Sequence, residues 1–114
     1  MNILKKIKNF FVDKASIKVT KDEVFVFHFH WSMKKNDYSF SWKDVKSISV
    51  KQIEPAIVEL NFLMHNGQNR FFHEEMDGWI NFIGELKNKF ESFNWNLFEE
   101  AKSHINKSYL CWEE

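Results

Sequence analysis

Apolar positions recur with period two from Ser16 to His73 and with a period near 3.6 after it. Ser16 to Thr20 alternates, with Ile17 and Val19 on one face, and Lys21-Asp22-Glu23 reads as a polar turn. Val24 to Trp31 is the strongest strand. Phe25, Phe27, Phe29 and Trp31 share one face, expected to be core, and Val24, Val26, His28 and His30 share the other, expected to meet solvent. After the polar loop Lys34 to Asp37, Tyr38, Phe40 and Trp42 alternate with serines as a third strand. Lys43-Asp44 turns the chain into a fourth, Val45 to Lys51, which Glu54-Pro55 breaks. Ala56 to Met64 is a fifth strand, with Val58, Leu60, Phe62 and Met64 on one face. Asn66-Gly67 signals a type I′ hairpin into a sixth, Asn69 to His73.

The change of period predicts a helix over residues 75–91, with Met76, Trp79, Ile80, Ile83, Leu86 and Phe90 as its buried stripe. Glu74, Glu75 and Asp77 suit its positive N-terminal end, and Lys87 and Lys89 its negative end. Gly78 and Gly84 each weaken it by about 1 kcal/mol relative to Ala. Residues 94–114 read as a short helix from Asn96 to Ile105, with Asn96 and Glu99 as a capping pair, and a docked tail from Ser108 to Trp112. Before the strands, Ile3, Leu4, Ile7 and Phe11 fall at helical spacing, so residues 1–12 read as an amphipathic N-terminal helix or arm. Strands over residues 16–73 followed by helix define an α+β class in one domain, 1–114. The expected form is a bent antiparallel sheet or a partly open pleckstrin-homology-like (PH-like) barrel of six to seven strands, closed by the helix, with one strand still to be assigned.

Composition sharpens this picture. Thirteen Phe, five Trp and two Tyr supply core material, each ring able to bury about 150–250 Å². Sixteen basic residues balance sixteen acidic ones, and Arg70 is the sole arginine. That balance argues against general nucleic-acid binding, which depends on neutralising phosphates. A lone Cys111 suits a reducing compartment, and the N-terminus lacks the apolar run of a signal peptide, so a cytoplasmic location is expected. No stretch of 18 consecutive apolar residues suggests a membrane span.

No phosphate-binding glycine loop, nucleophile elbow or HExxH motif occurs. Cys111 beside Trp112 reads as packing rather than as a nucleophile. His28 and His30 share a strand face, but zinc needs a third and usually a fourth ligand, so no metal and no cofactor is expected. His73-Glu74-Glu75 reads as the cap of the main helix. Twenty aromatics are many for one small core, and Trp31, Tyr109 and Trp112, at segment ends, are candidate interface anchors.

From Phe40 onward the chain resembles a group of small bacterial PH-like proteins found with polymorphic or contact-dependent toxins and regarded as immunity proteins. The resemblance runs through Phe40-Ser41-Trp42-Lys43-Asp44-Val45, the Asn66-Gly67 hairpin, Glu74-Glu75, Trp79, Phe82, Leu86, Phe90, Trp95 and Asn106-Lys107-Ser108-Tyr109-Leu110, about two-thirds of the chain. It implies a non-catalytic binding protein that occludes a cognate toxin in contact-dependent growth inhibition. The alternative is a PH-like lipid- or peptide-binding module, with Lys5, Lys6 and Lys8 facing phosphates. Against a nuclease toxin with a basic groove, Glu54, Glu59, Glu99 and Glu100 are the acidic residues expected to engage it.

Overall fold

The computed structural model describes residues 14–29, 37–55 and 57–114. The expectations for segment 1–12, His30 and Trp31, and for the side chains of His28 and Phe29, lie outside what is described. The first sheet is antiparallel, in the order β1 (Lys14–Val19), β2 (Glu23–Phe29), β3 (Tyr38–Ser41). A 3-10 turn, Trp42–Asp44, leads into β4 (Val45–Glu54), β5 (Ile57–Met64) and β6 (Asn69–His73). Helices α1 (Trp79–Lys89) and α2 (Trp95–Ala101) follow, and the chain ends in β7 (Ser108–Glu113). The second sheet is also antiparallel, in the order β6-β5-β4-β7. The class is therefore α+β. The seven described strands form two separate sheets of three and four, not one closed barrel. The unassigned strand is β7, in place of the expected docked tail.

Phe62 is the centre of the core. Its ring lies 5.1 Å from Phe72, 5.6 Å from Phe82 and 6.1 Å from Phe40, so both sheets and α1 meet on it. Trp42 stacks on Phe82 at 5.9 Å, and its indole N–H donates to Thr20 O at 3.2 Å. That bond satisfies the polar edge of an otherwise buried ring. Phe93, Trp95 and Phe98 form a smaller cluster under α2, with the first two rings 4.4 Å apart.

Four expectations are corrected. In β2 the faces are reversed: Val24 and Val26 are buried, while Phe27 is 44% exposed. Direct cross-strand partners share a face, and Val24 and Val26 sit opposite the buried Phe40 and Ile17. Both faces of β2 are apolar, so its neighbours decide which one turns inward.

The hairpin after β5 is not type I′. Gly67 alone in it has positive φ, +88°, while Asn66 does not. Met64 N donates to Gln68 O and Gly67 N to Met64 O, closing a three-residue loop with Gly in the left-handed position.

The main helix starts at Trp79 rather than Glu75, because Gly78 is left-handed and forms its N-cap. Gly78 is thus required rather than merely tolerated. Glu74 caps no helix; its Oε1 accepts from Val58 N at 3.1 Å and holds the start of β5. The helix phase shifts accordingly: Phe82 is fully buried and Ile80 is 85% exposed.

The second helix is capped by Asn94, whose Oδ1 accepts from Leu97 N at 3.1 Å, and not by Asn96 with Glu99. Its C-terminal carbonyls, orphaned as at every helix end, are met by the buried Gln52, whose amide donates to Lys102 O at 2.6 Å and Ala101 O at 3.4 Å.

Candidate functional site

The Gln52 contacts build a fixed corner at the end of the second sheet. Asn106 N donates to Gln52 O at 2.8 Å, and Ile105 bridges Gln52 in parallel sense. Asn106 adopts φ +62°, turning the chain from this bridge into β7. Ile105 is left 51% exposed on a loop pinned by main-chain and side-chain bonds. Glu54 lies two residues beyond Gln52 on β4, and Glu100 lies one helical turn before His104, whose Nδ1 sits 3.4 Å from Glu100 O. The corner presents an exposed aliphatic side chain where the end of β4 meets the end of α2.

Of the residues expected to bind a partner, Glu54, Glu99 and Glu100 are all exposed, and they lie on the strand and helix that Gln52 joins. Glu99 pairs with Lys102 at 3.2 Å, an exposed contact of small energetic weight. Glu59 stands apart on β5, where its register partner on β4 is Lys51. Tyr109 is no surface anchor: it is 8% exposed, because β7 joins the sheet and turns it inward, with its hydroxyl 3.3 Å from His104 Nδ1. Trp112 is half-buried and packs on Phe90 with rings 4.5 Å apart. Sequence pattern alone puts Ile105 in the last turn of the second helix, which hides its role. A lone aliphatic among Ser103, His104, Asn106 and Lys107 is the signal that finds it.

A second feature is a cleft of about 320 Å³ between β3 and the β5–β6 hairpin, lined by Ser39, Phe40, Asp44, His65, Gln68 and Arg70 among others. Its charged groups do not converge on a common point. Arg70 lies over the Tyr38 ring at 4.1 Å and donates to Gln68 Oε1 at 2.9 Å, while His65 Nε2 contacts Glu114 Oε2 at 2.8 Å. Burial raises the Tyr38 phenol, and the nearby Arg70 guanidinium offsets part of that rise. Such a cleft can hold a small polar group.

Cys111 is 3% exposed, and burial pushes its thiol up to about 11. A thiol so disposed is a poor nucleophile near neutral pH. We expect a thiol-specific chromogenic reagent at pH 8 to react with less than about a tenth of Cys111 in native protein over an hour, and fully in guanidinium. Rapid stoichiometric labelling of native protein would contradict this placement. Among the described residues, no group of three or more His, Cys, Asp or Glu could hold a metal, and no helix is long and apolar enough to cross a membrane. No protein-family model, curated protein or solved structure matches this chain.

Proposed function

We propose that this protein is a non-catalytic binding protein of the immunity type, built on an opened PH-like plan, which occludes a cognate bacterial toxin in the cytoplasm. The observation that supports it is the Ile105 corner: a half-exposed aliphatic pinned at the joint between the strand that carries Glu54 and the helix that carries Glu99 and Glu100. An apolar centre with a charged rim is the usual anatomy of a protein interface. Rigidity lowers the entropy lost on docking, and the carboxylates suit a toxin with a basic groove. Occlusion needs no catalytic group. The lipid-binding alternative draws on Lys5, Lys6 and Lys8, which lie outside the described residues, while the exposed carboxylates Glu54, Glu99 and Glu100 suit a basic protein partner better than an anionic lipid surface.

The test is co-expression with any toxin that a neighbouring gene encodes, and the absence of such a gene sinks the proposal. Wild-type protein should restore growth. Reversing Glu54, Glu99 and Glu100 together to Lys should slow association and weaken protection, with an unchanged circular dichroism spectrum. The proposal fails if wild-type protein neither protects nor binds.

A further inference from the structure

The second sheet has one face packed against the core and one face turned outward. Its cross-strand registers place Phe71, Asn61, Ser49 and Leu110 in one row, across β6, β5, β4 and β7. The row reads large, small, small, large. Phe71 and Leu110 are each 51% exposed at its two ends. At its middle stand the half-buried Asn61 and Ser49. In the adjacent row Glu59 of β5 stands opposite Lys51 of β4.

We infer that this face is a self-association surface, on which a second copy of the chain packs about a two-fold axis parallel to the strands. The charge pattern is self-complementary under that operation. Rotation about an axis running between β4 and β5 lays β5 of one copy over β4 of the other. Glu59 then faces Lys51 of the second copy, and Lys51 faces Glu59, so two ion pairs form rather than two repulsions. Asn61 faces Ser49, so the two small polar side chains meet at the centre of the row. Phe71 faces Leu110, covering each exposed side chain with another. An isologous contact of this kind is the commonest route to a closed oligomer, and aligned sheets pack face to face at about 10 Å. The chain carries no net charge, so two copies meet without overall repulsion. Four strands about 4.8 Å apart give a face roughly 19 Å wide. A face of that width supports a weak dimer rather than an obligate one.

Sedimentation of the full chain from about 1 to 500 μM should show a monomer–dimer equilibrium. Phe71→Asp should weaken it at least tenfold without lowering the melting temperature by more than a few degrees. Lys51→Glu, which sets glutamates against Glu59, should do the same. The swap Lys51→Glu with Glu59→Lys should restore dimerisation to within threefold of wild type. Leu110→Asn repeats the test should Phe71→Asp fold poorly. A folded protein that stays monomeric at 500 μM overturns the inference. So does a dimer that Phe71→Asp and Leu110→Asn leave unchanged, or one that the charge swap fails to rescue. A toxin complex that buries this face instead of the second copy overturns it too.

Discussion

Gly78→Ala should destabilise the protein by on the order of 3 kcal/mol or more, and should do so without touching a core side chain. Two independent reasons add. Gly78 sits at φ +88°, ψ 3°, where an L side chain is strained. A Cβ placed there would lie 2.0 Å from Ile17 O and 3.1 Å from Ile17 C, which are main-chain atoms of β1 and unable to swing away. The approach is close because the segment before α1 is strapped to the edge of β1: Ile17 N donates to Asp77 O at 2.7 Å, and Asp77 N to Ala15 O at 3.2 Å. Relieving the clash therefore means breaking the strap or tilting α1 off the core. Gly84 supplies the contrast. It lies inside α1, and a methyl group added there would meet nothing within 4 Å, so Gly84→Ala should stabilise by about 0.5–1 kcal/mol. Chemical denaturation of both variants reads the difference. Equal effects would contradict the placement of Gly78 as the joint between strap and helix.

Phe82→Ala should cost about 3–5 kcal/mol, and Ile80→Ala less than about 0.5 kcal/mol. Phe82 is fully buried, 4.6 Å from Phe72 and 5.6 Å from Phe62 by ring centroid, and it carries the stack from Trp42. Its removal opens a cavity at the junction of both sheets and the helix. Ile80 is 85% exposed and packs on little. Trp79, half-buried beside Phe82, falls between the two and costs less than its position on the expected stripe implies. Reversed costs for Phe82 and Ile80 would mean that α1 presents another face to the sheets.

The strands from β3 to β6 are legible in the sequence because period-two alternation and turn residues agree there: Tyr38, Phe40 and Trp42, then the Lys43-Asp44 corner, then Val58 to Met64. The orientation of β2 is not legible. Its two faces, Phe25 and Phe27 against Val24 and Val26, are both apolar, so pattern alone gives no preference and Ile17 and Phe40 settle it. The expected helix phase is off because Met76 fits the apolar stripe without belonging to the helix. With Gly78 left-handed, the helical positions run Trp79, Phe82, Ile83, Leu86, and Ile80 drops to the outer side. β7 escapes a local reading because its partner β4 lies about sixty residues earlier, Val50 with Tyr109 for example, and such long-range pairing leaves no local mark. Without that pairing Tyr109 looks like an exposed anchor. The carboxylates of the corner are visible as acidic residues, but Ile105 at its centre depends on the Gln52 bridge.

The proposed function rests on the Ile105 corner binding a protein partner. Titration calorimetry of the full chain against the purified, mutationally inactivated product of any neighbouring gene that encodes a toxin tests this directly. Wild-type protein should bind one to one, and Ile105→Asp should bind at least tenfold more weakly while keeping the wild-type melting temperature to within a few degrees. Binding of undiminished strength by Ile105→Asp, or no heat of binding with wild-type protein, would contradict it.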